Sequence, residues 1–127
     1  MEIQYAMFCA HVQFPQKPGG SVVLTKPIAN LTIEGAKSAE MDLPLFVTFL
    51  DDGGGGGNNL DVKIANSSGE IIATRDFKFN WRKNNPVQGE CFVVPLPEMH
   101  NSDTLTFSLF INGENKYNTR IPITIKP

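Results

Sequence analysis

The sequence predicts an all-β protein built as an antiparallel two-sheet β-sandwich, and three observations support this prediction. Short runs rich in Val, Ile, Phe and Thr alternate between apolar and polar residues, as β-strands do. Clusters of Gly, Pro, Asn and Asp separate these runs, which is typical of turns. Helical periodicity is almost absent. About eight or nine strands at short intervals favour a sandwich with Greek-key connections over an α/β fold.

Size and composition predict a single globular domain that covers residues 1–127. The chain has 127 residues, of which 41% are hydrophobic and 19% are charged, and its formal net charge is −2. This composition is far from that of disordered chains. Because a weakly acidic protein has no basic field to attract phosphates, we do not expect a nucleic-acid partner.

The predicted strands begin near the N-terminus. The first runs from Ile3 to Val12 and is apolar on both faces, with Ile3, Tyr5 and Met7 on one of them, so we expect it inside a sheet. Pro27 interrupts the next apolar stretch, and because proline lacks an N–H it predicts an edge strand or a bulge. The remaining predicted strands are Leu43–Leu50, Leu60–Ile64, Glu70–Thr74 with its continuation through Phe77, Phe79 and Trp81, Cys91–Val94, Leu105–Ile111 and Tyr117–Ile125.

Turn residues and prolines add local detail to this pattern. Asn112-Gly113 is a preferred two-residue turn between alternating strands, so it predicts a β-hairpin from the last two strands. Asn66–Gly69 predicts a second turn, and at most one helical turn is expected between Glu34 and Met41. Several prolines are expected to block unwanted pairing at sheet edges. They are Pro27, Pro95, Pro97 and Pro122.

Targeting signals and cysteine usage predict a cytoplasmic protein with no membrane partner. The sequence has neither the basic start of a secretory signal nor an apolar run near the roughly 20 residues that span a bilayer. Cys9 and Cys91 are the two cysteines, and both lie in apolar, strand-like stretches. We expect them to be free thiols, because cytosolic thiols stay reduced.

An oxygen-rich loop is the best candidate for a metal site. Asp51, Asp52, Asn58, Asn59 and Asp61 surround or follow five consecutive glycines, and calcium prefers carboxylate and amide oxygens. The spacing differs from that of a calcium loop, and five glycines lose much conformational entropy when ordered. A hairpin loop without an ion is therefore the favoured interpretation. A phosphate cradle would need a helix after the glycines, where a strand is predicted, and no cofactor is expected.

The second candidate is an aromatic and basic segment formed by Trp81, Arg82 and Lys83. Such a segment can stack a sugar ring or a partner's side chain. The alternative interpretation is that the aromatic residue belongs to the core and the two cations to a solvated loop.

A hydrolytic triad is the only catalytic arrangement that the sequence suggests. It would combine Cys9 or Ser102 with His100 and Asp103. Neighbours in sequence seldom form the geometry of a triad, and the segment around His100 is typical of a polar connection. We therefore predict no catalytic residues and no enzymatic activity.

Four segments together resemble a bacterial family of small proteins known only as a domain of unknown function. They are the opening strand IQYAMFCAHV, the strand DLPLFVTFL, the segment LDVKIANSSGEIIA and the closing hairpin LTFSLFINGENKYNTRIPITI. The likeness covers most of the chain. The resemblance implies an immunoglobulin-like or C2-like sandwich and implies no catalytic residues.

The function expected from the sequence is that of a non-catalytic accessory or protein-interaction domain. Its partner would be another protein or a second copy of the chain, because an unblocked sheet edge can pair by strand addition. The alternative is a ligand-binding module, which would bind calcium through the Asp51–Asp61 loop or carbohydrate through Trp81.

Overall fold

A computed structural model describes residues 1–16, 22–34, 41–50, 56–82 and 87–126. These residues form nine β-strands and no helix. The strands are β1 (Glu2–Gln13), β2 (Val23–Pro27), β3 (Leu31–Glu34), β4 (Asp42–Leu50), β5 (Gly56–Ala65), β6 (Ile71–Trp81), β7 (Val87–Pro95), β8 (Asp103–Ile111) and β9 (Glu114–Lys126).

The strands form two sheets, which confirms the predicted sandwich. One sheet has four strands in the order β2-β1-β4-β7, and the other has five in the order β3-β9-β8-β5-β6. All neighbours are antiparallel except β3 and β9, which are parallel. Strands β2 and β3 end the two sheets on one side of the sandwich, and β7 and β6 end them on the other.

Part of the connectivity matches that of an immunoglobulin-like sandwich. In that fold the second and fifth strands adjoin in one sheet, and the third, sixth and seventh adjoin in the other. Here β4 and β7 take the places of the second and fifth strands, and β5, β8 and β9 take the places of the third, sixth and seventh. β6 extends the five-stranded sheet, and β1 is an additional strand between β2 and β4.

The core lies between the inner faces of the two sheets. Each inner face follows the period-2 pattern of a strand, with fully buried residues at alternate positions such as Leu45, Val47 and Phe49 of β4. The Phe49 ring stacks on Phe79 of the opposite sheet with 4.5 Å between ring centroids. One connected cluster of buried side chains therefore joins both sheets.

Several predictions about strand position are confirmed. β1 lies inside its sheet, and Pro27 and Pro95 end the edge strands β2 and β7. Pro122 does not lie in an edge strand as predicted. It lies in β9 beside β8, and it comes immediately before the segment of β9 that pairs with β3. Ile3 also differs: the register shifts between Ile3 and Tyr5, so Ile3 is opposite the inward-facing Phe49 while Tyr5 faces outward.

The predicted turns have the required backbone geometry. Asn112 and Gly113 have φ angles of 49° and 88°, as a two-residue hairpin turn of mirror-image type needs. In the second turn the Asn66 side-chain oxygen accepts hydrogen bonds from the backbone N–H groups of Ser68 and Glu70, each at 3.0 Å. The helical turn predicted between Glu34 and Met41 falls on residues 35–40, which lie outside the described residues.

Candidate functional site

The outer face of the four-stranded sheet is apolar, although it points away from the core. The register places Met7, Phe46 and Cys91 in one row across β1, β4 and β7. Residues two positions apart on a strand share a face, so neighbouring rows extend this surface in both directions. We call it the apolar outer face, and its apolar side chains are Tyr5, Met7, Pro44, Phe46, Leu50, Val87, Cys91 and Val93. Thr48 and Gly89 lie on the same face, in the row beside Tyr5.

Much of the apolar outer face is open to solvent. Four of its side chains expose between 37% and 51% of their surface: Tyr5, Leu50, Val87 and Val93. An antiparallel sheet with one wet face normally carries polar residues there. The five-stranded sheet follows this rule, with Asp61, Lys63 and Ser108 on its outer side. The four-stranded sheet departs from it.

Phe46 lies at the centre of the apolar outer face and is only 5% exposed. The ring of Phe14 packs edge-on against it, with 6.0 Å between the centroids. Gly89 of the neighbouring strand leaves room for the Phe46 ring, because a Cβ at position 89 would lie 2.9 Å from Phe46 Cζ. The absence of a side chain at Gly89 therefore allows Phe46 to lie over β7.

We expect Gly89→Ala to displace the Phe46 ring and to lower the free energy of unfolding by about 1–3 kcal/mol, the usual cost of overpacking. Urea unfolding of the two proteins measures the difference. Gly57→Ala is the matched control, because a Cβ there would meet Asn80 Oδ1 at 3.7 Å, an ordinary contact. Equal effects of the two substitutions would contradict this account of Gly89.

The side-chain amide of Gln88 connects the two sheets on the side where β6 and β7 lie. Gln88 is the one buried polar residue in the described part of the chain. Its Nε2 donates to the Asn80 carbonyl at 2.9 Å, and its Oε1 accepts from the Arg82 N–H at 2.8 Å. If a parallel strand lay beside β6, the backbone of one of its residues would form the same two hydrogen bonds to Asn80 and Arg82. The Gln88 amide therefore closes this end of the β6 edge.

Of the predicted calcium ligands of the loop, one group bonds to the β8–β9 turn through side chain or backbone, and a second group lies outside the described residues. Asp51 and Asp52 lie outside the described residues. The Asn58 side-chain oxygen accepts a hydrogen bond from Asn112 Nδ2 at 3.0 Å. The Asn59 N–H donates to Asn112 Oδ1, also at 3.0 Å, so both asparagines join β5 to the β8–β9 turn. Calcium binding by the loop stays a prediction.

Asp61, the fifth predicted ligand, lies opposite Asp76 on the outer side of the five-stranded sheet. Partial burial, together with the hydrogen bond and the negative charge of Asp76, raises the pKa of the Asp61 carboxyl, while Lys63 lowers it. Among the described residues, no three His, Cys, Asp or Glu side chains are grouped so that they could hold a metal ion. The arrangement instead places two acidic groups next to each other near an edge of the sheet.

The aromatic and basic segment is divided between the core and the surface. Trp81 is 5% exposed and belongs to the core cluster, as does Phe79. Its indole face is therefore not presented to a sugar ring. Arg82 is exposed, and Lys83 lies outside the described residues.

The residues of the suggested triad are held by structural hydrogen bonds. Ser102 Oγ accepts from the Ile125 N–H at 2.8 Å, and the Asp103 carboxylate accepts from the Ser67 N–H at 3.3 Å. The hydrogen bonds from Ser67 lower the pKa of Asp103. Within the described residues, neither side chain forms a hydrogen bond with His100, so the three do not have the geometry of a relay.

Cys9 and Cys91 are free thiols on strands of the four-stranded sheet. Cys9 is fully buried and Cys91 is partly buried. Burial raises the pKa of both thiols, the charge of Glu90 adds to the effect at Cys91, and the Cys91 thiol adds to it at Cys9. Because the thiolate is the reactive form, this environment disfavours a nucleophilic role for either cysteine.

Comparison of the chain with protein-family models and with curated proteins found no match. The resemblance to a bacterial family therefore stays a prediction. The described residues also contain no helix that is long and apolar enough to cross a membrane.

Proposed function

We propose that this chain is a non-catalytic protein-interaction domain, and that its apolar outer face binds an apolar surface of a partner protein. The observation that carries this proposal is the contiguous, uncharged surface on the side of a sheet that normally carries polar residues. A large exposed apolar patch on a folded protein is typical of an interaction site. Removal of such a surface from water contributes roughly 25 cal/mol per Å² of apolar area.

The composition of the face supports a protein partner. The centres of protein–protein interfaces are poor in charged residues and rich in Tyr, Phe and Met. The apolar outer face contains Tyr5, Met7 and Phe46, and the acidic residues on the outer side of β1, β4 and β7 lie near its ends, at Glu2 and Asp42. The face offers no cations that would attract a polyanion, and its centre is uncharged.

The test combines two substitutions at exposed positions of this face, Leu50→Lys and Val93→Lys. Leu50 is 38% exposed and Val93 is 51% exposed, so we expect the double variant to remain folded. Wild-type protein and variant are used as baits in the cell that naturally makes the protein. The captured protein is then identified, purified and titrated against both by calorimetry. Two charges in the interface are expected to weaken binding at least tenfold, which is about 1.4 kcal/mol.

Ile71→Lys provides the matched control. Ile71 is a large apolar residue that is 56% exposed, but it lies in β6 of the other sheet. The proposal predicts that this variant binds the purified partner as the wild type does. A partner that binds the double variant and the wild type equally well would overturn the assignment of the apolar outer face.

A further inference from the structure

β6 forms a long open edge on the five-stranded sheet. It has 11 residues and contains no proline. The other edge strands are shorter: β2 has 5 residues, β3 has 4 and β7 has 9, and two of these end in proline. Gln88 occupies the outward backbone groups of Asn80 and Arg82 at one end of this edge, and no strand of the described residues covers the rest. An edge of this kind is a template for the addition of another strand.

Hydrogen bonds at the end of β6 show which of its backbone groups face the open edge. The N–H and C=O of one residue point to the same side of a strand, and the next residue points to the other side. The Asn80 C=O and the Arg82 N–H reach Gln88, which lies outside the five-stranded sheet. The backbone N–H and C=O groups of the even-numbered residues of β6 therefore point to the open edge.

The neighbouring strand gives the same result independently. The Asn59 C=O accepts from the Asn112 N–H at 3.1 Å on the β8 side of β5. The backbone N–H and C=O groups of the odd-numbered residues of β5 thus point to β8. Those of its even-numbered residues, such as Leu60, point to β6 and pair with odd-numbered residues of β6, such as Phe77. Thr74, Asp76 and Lys78 consequently present N–H and C=O groups at the open edge.

The charges along this edge are self-complementary in one antiparallel register. When two copies of β6 are related by a twofold axis at Phe77, Asp76 lies opposite the partner's Lys78, and Lys78 lies opposite the partner's Asp76. Opposite charges directly across an antiparallel pair stabilise it by roughly 0.2–1 kcal/mol each. A twofold axis at Asp76 or at Lys78 would place like charges opposite each other. The charges therefore select the register centred on Phe77.

The same register compensates an unfavourable feature of the isolated chain. Asp61 and Asp76 lie directly opposite each other on β5 and β6, and like charges in that position destabilise a sheet. Lys63 is near this pair on one side. On the open side, the partner's Lys78 would lie next to Asp76, so the acidic pair would be placed between two cations.

We propose that two copies of the chain pair antiparallel through the open edge of β6, with the twofold axis at Phe77, so that the two five-stranded sheets become one ten-stranded sheet. Asp76 and Lys78 of each copy exchange backbone hydrogen bonds with the partner's Lys78 and the partner's Asp76. Their side chains form two ion pairs on the outer side of the sheet. This inference is independent of the proposed function, because the apolar outer face lies on the other sheet.

The test uses charge reversal in two separate variants, Asp76→Lys and Lys78→Asp. In the register centred on Phe77, each variant alone places like charges opposite each other, with two lysines facing two lysines or two acids facing two acids. An equimolar mixture of the two variants restores both ion pairs between unlike copies. Sedimentation velocity over a range of concentrations, from micromolar to millimolar, measures the mass of each sample.

We expect the wild type to form a dimer and each variant alone to dimerise at least tenfold more weakly. The mixture is expected to dimerise with nearly the wild-type affinity. Arg120→Asp is the matched control for Lys78→Asp, because it makes the same charge change at an exposed position of the same sheet, in β9. It is expected to dimerise like the wild type. Thermal unfolding of all proteins verifies that each variant is folded, since both edge positions are exposed.

Three results would overturn the proposal: a wild type that stays monomeric at millimolar concentration, single variants that dimerise like the wild type, or a mixture that associates no better than its components. The Leu50→Lys/Val93→Lys variant separates this proposal from the proposed function. It should lose the partner protein but keep the dimer. If this variant no longer dimerised, self-association would depend on the apolar outer face, and this result would contradict pairing through β6.

Discussion

Replacement of Gln88 by leucine is expected to lower the free energy of unfolding by about 1–3 kcal/mol, although leucine has a similar size and is more apolar. The cost arises because the Asn80 carbonyl and the Arg82 N–H lose their hydrogen-bond partner at a site where Gln88 is only 3% exposed. A buried polar group without a partner costs about that much. Urea unfolding, followed by tryptophan fluorescence because Trp81 lies beside this site, measures the change.

Gln88→Glu is the informative control for this prediction. A glutamate at position 88 retains an acceptor for the Arg82 N–H, but its ionised form cannot donate to Asn80 and repels Glu90, whose carboxylate now accepts from Gln88 Nε2 at 2.6 Å. Protonation restores a donor. The stability of this variant relative to the wild type should therefore improve as the pH falls. A relative stability that does not depend on pH would contradict the role of the Gln88 amide as a donor.

Phe49→Ala is expected to produce the largest loss of stability, about 3–5 kcal/mol, which is typical of a phenylalanine truncated in a core. Phe49 is completely buried, stacks on Phe79 and meets Phe92 edge-on with 6.3 Å between centroids. Its removal leaves a cavity between the two sheets. Denaturant unfolding compares it with Phe14→Ala, a matched truncation of a ring that is 44% exposed.

The Phe14→Ala variant is expected to lose only about 1 kcal/mol, because a half-exposed ring contributes about half of the apolar burial. The ratio of the two losses is therefore the diagnostic quantity. Similar losses would mean that Phe49 does not have the central position between the sheets that its contacts indicate.

The strands whose residues carry strong local signals could be predicted from the sequence. Asn112-Gly113 defined the hairpin of β8 and β9, since few other residues adopt two successive positive φ angles. The missing N–H of Pro27 and of Pro95 excluded these positions from the centre of a sheet, and both end edge strands. Strand order could not be predicted, because it depends on contacts between residues that are distant in sequence.

The apolar outer face was missed for a physical reason. The sequence predicts that the first strand, which is apolar on both faces, lies inside a sheet, and β1 and the equally apolar β4 are indeed inner strands of their sheet. A sandwich has only two layers, however, so the second sheet can cover one face of each strand and not the other. The outward residues Tyr5, Phe46 and Leu50 could have indicated an exposed apolar surface once a two-layer fold was predicted.

The polar candidates were less predictable than the strands. The sequence predicts a strand that begins only at Cys91, but β7 already begins at Val87, and the side chain of Gln88 points inward. Asn58 and Asn59 are oxygen-ligand candidates in the sequence, yet the Asn58 side chain and the Asn59 backbone N–H bond to a turn that lies far away in sequence. A side-chain amide serves equally well as a ligand and as a structural partner, and the sequence does not distinguish the two uses.

The parallel pairing of β3 with β9 has a consequence for synthesis on the ribosome. Leu31 lies opposite Ile123, so β3 has no partner in its sheet until β9 has emerged. Contacts between residues so distant in sequence form slowly, because the intervening chain must first lose its freedom. β4, which is apolar on both faces, has β1 as a partner on one side from the start and waits for β7 on the other. The sandwich is therefore incomplete until β9 has been synthesised, and until then apolar strands are exposed to the chaperones that bind such segments.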